Sequence, residues 1–596
     1  MIQNLKCGVS TIISDDNKMK TLYKTFLTVF RPPLLAIILT ANFGLCSNAQ
    51  SLQWAKAMGT MENEYGLSIA TDNAGNIYST GYFSGTADFD PGTGTFDLIS
   101  AGSTDVFVSK LDASGNFLWA KAIGGSGGDG GNSITTDAAG NVYITGYFNA
   151  TADFDPGAGT FTYTSAGDGD VFITKLDASG NFLWAKAIGG TGNDWGISIA
   201  TDIAGNVYTT GHFFGTADFD PGAGILNLTS AGNIDVFVSK LDASGNFLWA
   251  KAIGGTGSDI GFSIATDGAG NVYTTGYFNA TADFDPGAST FNLTSAGGND
   301  IFISKLDASG NFLWAKKMGG TGGDRGYSIA IDGAGNVYTT GYFNATADFD
   351  PGTETFNLTS EDDNDIFISK LDAFGNFLWA RAMGGLSGDG GNSIATDGAG
   401  NVYTTGYFKN TVDFDPGEGI FNLISAGGND IFISKLDASG NFLWAGAIGG
   451  ASNDMGNSIT TDSAGNVYTT GYFRGAIDFD IQAGTFILPS SGGSQDIFVC
   501  KLGSFTTGIY EPSTIAPQLT IYPNPFSALT TLQTLTPLSN ATLIVVDIFG
   551  QTVAQINNIN DRSITFNRDN LPSGMYFIRL TQNGQVIATN KIIITN

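Results

Sequence analysis

The chain of 596 residues is strongly acidic, with a formal net charge of −29 at pH 7 and an isoelectric point near 4.1. Nucleic acid is excluded as a partner, because phosphate groups are bound by clusters of Lys and Arg. The negative charge also opposes direct adsorption to anionic lipopolysaccharide, and otherwise suits the solubility of an exported protein.

Residues 1–49 are predicted to form a secretory signal peptide. Basic residues precede an apolar run at 34–45, and the small residues at 47–49 offer a cleavage site before Gln50. The apolar run is too short to span a bilayer, so no transmembrane span is expected.

The start of this segment and its cysteines allow further expectations. Met19 is a more natural start than Met1. Cys46 leaves a lipoprotein as an alternative, although Leu45 stands where a small residue is expected before a lipidated cysteine. After removal of the signal peptide only Cys500 remains, which excludes an intrachain disulfide. Cys500 stands where other repeats have Ser or Thr, and we expect a small buried residue rather than a reactive thiol.

From residue 50 to residue 504 the chain repeats itself with a strict period. A tryptophan marks each copy at intervals of 65 residues: Trp54, Trp119, Trp184, Trp249, Trp314, Trp379 and Trp444. A fixed period of this length is the signature of a repeat architecture, in which each copy is one supersecondary unit.

Each copy, such as residues 241–305, contains four segments with strand character. Residues 271–278 and 300–307 alternate aromatic or β-branched residues with small or polar ones. Residues 263–267 and 247–253 are two further candidates. Asp-Gly turns connect the segments, because Asp can cap a turn and Gly can adopt a positive φ. Four antiparallel strands per copy, without a helical period, predict the blade of a β-propeller.

The number of strands predicts how the propeller closes. The first Trp-bearing strand, residues 52–58, precedes any blade, and no such strand follows the last blade, which ends at residues 496–502. Pairing of these two segments removes both free sheet edges and completes seven blades. The sequence therefore predicts an all-β protein whose residues 50–504 form a monomeric seven-bladed β-propeller, with the ring closed by its N-terminal strand.

The repeats resemble those of a bacterial seven-bladed propeller repeat family found in exported proteins of the Bacteroidetes. The resemblance covers about residues 52–502 and rests on GNVYTTGYF (270–278), DIFISKLDASGNFLWA (300–315) and GGTGSDIGFSIATD (254–267). It implies the propeller architecture and carries no activity.

An Asp-Phe-Asp motif recurs in each copy and gives a first candidate site. The paired aspartates are Asp88, Asp90, Asp153, Asp155, Asp218, Asp220, Asp283, Asp285, Asp348, Asp350, Asp413 and Asp415, with Asp478 and Asp480 in the last copy. Residues two apart in an extended segment point to one face, and paired carboxylates before a Gly turn suit calcium, although no cofactor is required. The alternative is a plain turn in an added hairpin, because the motif lacks the six or more oxygen ligands of a complete calcium site.

A second acidic position recurs between the last strand of one blade and the first strand of the next. It is occupied by Glu64, Asp129, Asp194, Asp259, Asp324, Asp389 and Asp454. We expect these residues to cap a Gly-rich turn, and to lie on the same face of the propeller as the Asp-Phe-Asp pairs.

The copies differ most just after this acid. The next residue is Tyr65, Gly130, Trp195, Ile260, Arg325, Gly390 or Met455, and two residues further stand Leu67, Asn132, Ile197, Phe262, Tyr327, Asn392 and Asn457. Positions that differ between copies can form one asymmetric surface, so we predict a ligand site anchored by Tyr65, Trp195, Arg325 and Tyr327. Relaxed constraint on loops is the alternative. His212, the single histidine, replaces the Tyr of the GYF motif and is interpreted as a substituted strand residue.

The repeats stop after Leu502, and the rest of the chain has a different composition. Residues 505–517 are predicted to be a linker. Residues 518–596 contain short strands rich in Val, Ile, Leu and Thr, with an Asn583-Gly584 hairpin turn, and predict a small Ig-like β-sandwich.

Three ordered motifs in this tail resemble the type A C-terminal sorting domain of the type IX secretion system: YPNPF (522–526), VDIFGQ (546–551) and LPSGMYF (571–577). The residues that carry the resemblance are Tyr522, Pro523, Asn524, Pro525, Asp547, Gly550, Gly574, Tyr576 and Lys591. The resemblance implies passage through the inner membrane by the signal peptide and through the outer membrane by the type IX machinery. Removal of the tail, and attachment to surface lipopolysaccharide or release, follow in that family.

Three functions are consistent with these features. The favoured hypothesis is a non-catalytic binding or adhesion propeller at the cell surface, with a glycan or another surface ligand. A structural component of the surface layer is the first alternative. A carboxylate-dependent glycan hydrolase is the second, although such an enzyme needs two carboxylates in unlike environments and the acids here are near-identical copies. The sequence has no His-based triad and no Cys/His metal cluster, so no catalytic residue is predicted.

Overall fold

The computed structural model describes residues 50–482, 484–504, 519–534, 537–546, 552–582 and 585–595. The chain divides between Ser504 and Phe505 into two compact bodies, a repeat domain and a tail domain. Every regular element in the described ranges is a β-strand, which confirms the all-β class. No helix in this part of the chain could cross a membrane. The predicted signal peptide, the predicted linker and the Asn583-Gly584 turn lie outside the described residues.

The repeat domain contains seven four-stranded antiparallel units, here numbered 1 to 7 along the chain. Their strands, in order, are Glu64–Thr71, Ile77–Phe83, Asp105–Leu111 and Phe117–Gly125; Gly130–Thr136, Val142–Phe148, Asp170–Leu176 and Phe182–Gly190; Trp195–Thr201, Val207–Asp218, Asn227–Leu241 and Phe247–Gly255; Ile260–Thr266, Val272–Asp283, Asn292–Leu306 and Phe312–Gly320; Arg325–Ile331, Val337–Phe343, Asp365–Leu371 and Phe377–Gly385; Gly390–Thr396, Val402–Phe408, Asp430–Leu436 and Phe442–Ile448; and Met455–Thr461, Val467–Arg474, Gln495–Ser504 and Gln50–Met58.

The predicted pairing of the first strand with the last repeat is present. Gln50–Met58 pairs antiparallel with Gln495–Ser504, with Leu52 opposite Leu502 and Met58 opposite Ile497. The N-terminal strand therefore supplies the fourth strand of unit 7. Each four-stranded sheet is itself open, with the small-residue first strand at one edge.

A side-chain hydrogen bond links the first strand of every unit to the first strand of the next. A serine hydroxyl accepts the backbone N–H of an isoleucine at 3.1–3.3 Å in the pairs Ser68–Ile134, Ser133–Ile199, Ser198–Ile264, Ser263–Ile329, Ser328–Ile394, Ser393–Ile459 and Ser458–Ile69. The last of these pairs joins unit 7 to unit 1.

Short hairpins extend the units, as the sequence predicts. Their strands are Thr86–Asp88 with Asp97–Ile99, Thr151–Asp153 with Thr162–Thr164, Thr346–Asp348 with Asn357–Thr359, Thr411–Asp413 with Asn422–Ile424, and Ala476–Asp478 with Ile487–Pro489. In units 3 and 4 the second and third strands run on into the hairpin without a break. Several hairpins also pair with the fourth strand of the preceding unit, as Asp153 does opposite Gly124. The hairpins therefore tie neighbouring units together.

Apolar cores lie between successive units rather than within one unit. One core combines Val106 and Ile123 of unit 1 with Phe148 and Phe172 of unit 2. A strand that presents side chains on both faces contributes to two such cores, so no unit can bury its apolar surface alone. Cys500 is fully buried in the core next to unit 7, as expected for a small substituted residue.

The tail domain has two sheets that share one apolar core. Its strands are Thr520–Tyr522, Leu529–Gln533 and Ser563–Asn567 in one sheet, and Thr552–Ile559, Ala541–Val546, Gly574–Gln582 and Gln585–Ile594 in the other. The core contains Leu532 and Phe566 from the first sheet and Leu543, Val545 and Ile578 from the second.

Candidate functional site

The residues that differ most between copies lie on the first strand of each unit. In unit 4 this strand begins at Ile260, three residues before the predicted start at Ser263, so Ile260 and Phe262 are strand residues. A bulge between Gly261 and Ser263 separates them from the regular part of the strand. The interpretation of these positions as loop residues is therefore wrong. We call the end of the units where the first strands begin the variable end.

A column of aromatic residues pairs with these positions, and the sequence analysis did not assign it a role. The second residue of the GYF motif lies opposite the variable residue on the neighbouring strand, in the pairs Tyr65–Tyr82, Gly130–Tyr147, Trp195–His212, Ile260–Tyr277, Arg325–Tyr342, Gly390–Tyr407 and Met455–Tyr472. The signal that could have found them is the register of the predicted strands, in which a repeated Tyr faces a residue that changes from copy to copy.

Trp195 is the most open of the predicted anchors, with 36% of its surface exposed. Its ring stacks on Tyr147 of the preceding unit, with centroids 4.5 Å apart and an interplanar angle of 13°. The ring of His212 lies 5.7 Å away on the other strand of the same unit. His212 is half-buried, and burial lowers its pKa to about 4, so this imidazole is neutral at pH 7. Trp195 therefore presents a flat apolar face, and the side chains that pack against it, Tyr147 and His212, are uncharged at pH 7.

Arg325 and Tyr327 form a second group with tyrosines of two units. The guanidinium of Arg325 lies 4.8 Å from the ring centre of Tyr277 and 5.8 Å from that of Tyr342. Tyr327 packs edge-on against Phe262 of the preceding unit at 4.9 Å and against Tyr342 at 5.6 Å. The aromatic rings thus fix the position of a positive charge at this end.

Tyr65 lies at the contact between unit 1 and unit 7. Its ring is 4.8 Å from Tyr82 and 4.9 Å from Tyr472, and its hydroxyl donates a hydrogen bond to Gln495. Each of the four predicted anchors therefore contacts an aromatic residue or the unit next to its own. The anchors do not form one contiguous cluster. Trp195 of unit 3 belongs to one group, and Arg325 and Tyr327 of unit 5 belong to another.

The recurring acid before each variable residue is buried and caps the preceding turn, as expected. Asp129 is 1% exposed; its Oδ2 accepts the N–H of Gly125 at 2.8 Å and its Oδ1 that of Asn149 at 3.0 Å. Burial raises the pKa of Asp129 to about 6 and the pKa of Glu64 and Asp389 to about 8. These acids position the start of the first strand and do not reach the surface.

The Asp-Phe-Asp pairs form the turn that was the alternative to a calcium site. Asp88 Oδ1 accepts the N–H groups of Asp90 at 3.0 Å and Phe96 at 2.8 Å, and Asp90 Oδ1 accepts that of Gly92. The same bonds recur in the other copies, as at Asp153 and Asp155. Among the described residues no group of three or more His, Cys, Asp or Glu could hold a metal ion. Calcium at these pairs stays a prediction.

In the tail domain the predicted sorting residues come together from both ends of the domain. The side chain of Asn524 donates to the carbonyl of Lys591 at 2.8 Å and accepts the N–H of Ile593 at 2.8 Å. Tyr576 is buried and its hydroxyl donates to Pro572, whereas Tyr522 is largely exposed. Gly574 begins the strand that pairs with the last one. Asp547 and Gly550 lie outside the described residues.

Two family models match this chain. The model for the secretion system C-terminal sorting domain matches residues 520–595. The β-propeller repeat model matches residues 183–212, 248–285, 313–350 and 444–472.

Curated relatives match the chain over part of their length. An uncharacterized WD repeat-containing protein of Acanthamoeba polyphaga mimivirus is 27% identical over 485 residues, which cover 70% of this chain and 35% of that protein. The regulatory protein FlaEY of Caulobacter vibrioides is 26% identical over 289 residues, which cover 45% of this chain and 29% of that protein. The chain therefore spans about a third of the length of the curated relatives it matches.

Solved structures with some similarity include Sqt1 from Chaetomium thermophilum, with 11% identity and a TM-score of 0.35 over 76% of this chain and all of that one. PorZ, a surface component of the type IX secretion system of Porphyromonas gingivalis, has 12% identity and a TM-score of 0.20 over 89% of this chain and 81% of that one. At these TM-scores neither similarity supports a conclusion.

The repeat domain is thus built from β-propeller repeats. The tail domain is a type IX sorting domain, which directs export of the protein to the cell surface or the extracellular space.

Proposed function

We propose that this protein is a non-catalytic binding protein of the cell surface, and that its ligand is a glycan held at the variable end of a closed ring of seven propeller blades. The observation that carries the proposal is the concentration of differences between copies at one end, where Trp195 forms one aromatic group and Arg325 with Tyr327 forms another. The copies differ most at the positions where we place the ligand.

Closure of the ring is supported by three contacts between the ends of the repeat domain. They are the pairing of residues 50–58 with residues 495–504, the hydrogen bond from Ile69 to Ser458, and the bond from Lys501 Nζ to the carbonyl of Ala113 at 3.2 Å. The ring of Tyr65 lies 4.9 Å from that of Tyr472, so the variable ends of units 1 and 7 adjoin each other.

The chemistry of this surface suits a carbohydrate. Exposed aromatic faces such as that of Trp195 stack on the apolar faces of sugar rings, and the donors of Arg325 can bind hydroxyl or carboxylate oxygens. Binding sites of this kind combine apolar contact area with a few fixed polar groups.

A non-catalytic role is supported by the burial of the acids. The carboxylates next to the variable residues are at most 1% exposed and recur in seven near-identical copies. A glycan hydrolase needs two accessible carboxylates with different pKa values. The matched families carry no named catalytic activity.

The test is a glycan array probed with the purified protein, with calcium and with a chelator. We expect one glycan class to be bound, and at least a tenfold weaker affinity for Trp195→Ala and Arg325→Ala. The matched control is Phe374→Ala, because Phe374 is 78% exposed in a turn at the opposite end of the units. Equal binding by Trp195→Ala and Phe374→Ala would move the site elsewhere. Turnover of a glycan would favour the enzyme, and the absence of both binding and turnover the structural role.

A further inference from the structure

A cavity of about 260 Å³ lies at the variable end where unit 7 follows unit 6, and its residues were not among the predicted site residues. It is lined by Gly428 of unit 6, by residues 451–453 of the loop between the units, and by Arg474 and Gln495 of unit 7. Ligand pockets in proteins usually measure about 300–1,000 Å³. The cavity therefore suits a single sugar ring rather than a longer segment of a glycan.

Two of the lining side chains are each held by a hydrogen bond that leaves N–H donors unused. Arg474 Nε donates to the carbonyl of Gly493 at 2.7 Å, and Asn453 Oδ1 accepts the N–H of Asn429 at 3.0 Å. The described residues supply no acceptor for the two Nη atoms of Arg474 or for Nδ2 of Asn453. Both side chains are exposed, so these donors are accessible to a ligand.

Gln495 is oriented in the same way by Tyr65, one of the predicted anchors. The hydroxyl of Tyr65 donates to Gln495 Oε1, which fixes the acceptor of the amide away from its nitrogen. Within the described part of the chain Nε2 of Gln495 has no acceptor. The groups left unused on Arg474, Asn453 and Gln495 are therefore all donors.

Among the described residues no acid lines this cavity. The acids next to it in sequence, Asp454 and Asp496, are at most 1% exposed and accept backbone N–H groups instead. Asp454 Oδ1 accepts the N–H of Arg474 at 2.9 Å, and Asp496 Oδ2 accepts that of Ser491 at 2.8 Å. The side chains that line the cavity thus combine one positive charge with neutral donors, which is the lining that an anion needs.

The other junctions between units lack this combination. The position of Arg474 is occupied in the other units by Ser84, Asn149, Phe214, Asn279, Asn344 and Lys409. Lys409 is the other positive residue of this set, and at its junction Asp363 occupies the position of Gly428. A positive residue without an acid at the corresponding lining positions is therefore confined to the junction of units 6 and 7. Such a difference between copies marks a place where a repeat protein can form one asymmetric site.

We propose that this cavity binds the carboxylate of an acidic sugar, a uronate residue of the glycan at the variable end. A planar guanidinium binds a carboxylate through two parallel N–H···O bonds, which Arg474 can supply with its free Nη atoms. The amide nitrogens of Asn453 and Gln495 can donate to the remaining lone pairs. The proposal rests on the proposed glycan-binding function and adds the class of glycan.

Isothermal titration calorimetry of the complete mature protein tests this inference. The probes are oligosaccharides of galacturonate, glucuronate and mannuronate, the same oligosaccharides with their carboxyl groups reduced to alcohols, and a sulfated neutral oligosaccharide. We expect one uronate probe to bind about tenfold more tightly than its reduced counterpart, because only the uronate forms charge-assisted hydrogen bonds with Arg474.

Three variants locate the carboxylate. Arg474→Gln should bind the uronate about tenfold more weakly, with unchanged affinity for the reduced probe and an unchanged melting temperature. Lys409→Gln, at the corresponding position of unit 6, is the matched control and should bind both probes like the unaltered protein. Ser452→Glu keeps Arg474 but adds an acid, as Glu62 does at the corresponding position before unit 1, and should also lose the preference for the uronate.

Several results would overturn the inference. Equal affinity for uronate and reduced probes, with both weakened by Trp195→Ala, would refute an acidic ligand and leave the proposed function intact. Tighter binding of the sulfated probe would assign the cavity to sulfate. Equal losses in Arg474→Gln and Lys409→Gln would mean that the preference follows overall charge rather than this cavity. Binding of no glycan at all would refute the proposed function as well.

Discussion

Aspartate residues at the two ends of the propeller units have pKa values shifted in opposite directions. The opposite end of the units, which we call the turn end, is formed by turns that begin with Asp and contain Gly, such as residues 72–76. Asp72 Oδ1 accepts the N–H groups of Ala74 and Asn76. Asp72 Oδ2 accepts hydrogen bonds from the side chains of Asn76 and Tyr78. Burial alone would raise the pKa of Asp72, but these hydrogen bonds outweigh burial and hold the pKa below its usual value. At the variable end burial dominates instead, and raises the pKa of Asp129 to about 6.

This difference distinguishes the turn end, which has a structural role, from the variable end, where we place the candidate site. The turn end satisfies its charges within one turn, so the same residues can recur in every copy without reference to any partner. At the variable end, some carboxylate oxygens have no hydrogen-bond partner within the described part of the chain, and different side chains lie beside them. Unsatisfied buried groups are costly, and they are therefore expected where a ligand, an ion or a proton completes the structure.

The largest expected effect comes from removing the strand that joins the two ends of the repeat domain. Deletion of residues 52–58 removes the fourth strand of unit 7 and exposes the edge of Gln495–Ser504. We expect the single cooperative melting transition, followed by calorimetry, to be lost. Deletion of seven residues within 505–517 is the control and should leave the transition intact. An unchanged melting curve after the first deletion would refute closure of the ring.

Alanine substitutions of glycine at the two ends should differ sharply. Gly124→Ala places a methyl group 2.5 Å from Asp105 Cγ, and we expect a loss of about 1–3 kcal/mol in the free energy of unfolding. Gly268→Ala, in a turn at the opposite end, meets no atom of the described residues within 4 Å and should change the free energy of unfolding by less than about 0.5 kcal/mol. Denaturant unfolding measures both. Equal losses would mean that the space beside Asp105 is not closely packed.

The pH dependence of stability should have two limbs when calcium is absent. Carboxyls with a raised pKa, such as Asp129 and Asp235 at about 6, stabilise the fold at low pH and lose that contribution as the pH rises through 6. Turn-end aspartates such as Asp72, with a lowered pKa, stabilise the fold at neutral pH and lose that contribution as the pH falls below their usual pKa. In chelator, the melting temperature should therefore rise by about 2–4 °C between pH 7 and pH 5.

Below about pH 4 the melting temperature should fall again, because the turn-end carboxylates become protonated. Asp129→Asn should reduce the change in melting temperature between pH 7 and pH 5. Asp72→Asn should reduce the change in melting temperature below about pH 4. A continuous decline from pH 7 to pH 4 would contradict the contrast between the two ends.

The smallest effect is expected at the single histidine of the variable end. His212 Nδ1 is buried without a hydrogen-bond partner among the described residues, and six other units have Tyr at this position. We expect His212→Tyr to raise the free energy of unfolding by up to about 1 kcal/mol. The reverse change, Tyr277→His, should lower it, because the ring of Tyr277 packs against Arg325 at 4.8 Å. A destabilised His212→Tyr would show that Trp195 requires the smaller ring.

Much of the fold could be predicted from periodicity. The spacing of Trp54 and its equivalents set the repeat, the Asp-Gly turns set the hairpins, and the count of strands required residues 52–58 to pair with the last copy. The turns depend on neighbouring residues, and the repeat and its closure depend on counting copies and strands along the chain. A single sequence is enough to predict all three. The tail motifs were equally local and identified the sorting domain.

The candidate site was predicted only in part. Tyr65, Trp195, Arg325 and Tyr327 were found because they differ between copies, but their partners Tyr147, Tyr277 and Tyr342 were overlooked because they repeat. The cross-strand register that brings a repeated residue next to a variable one is set by a bulge, which the alternation of residues does not reveal.

The sequence by itself determined the repeat, the strands and the export signal, because each depends on residues near one another in the chain. Tertiary structure decided the rest. Asp105 and Asp129 look like two ordinary caps in sequence, 24 positions apart. They become a pair because the third strand of one unit packs beside the first strand of the next across Gly124, and only that packing buries both charges in one place.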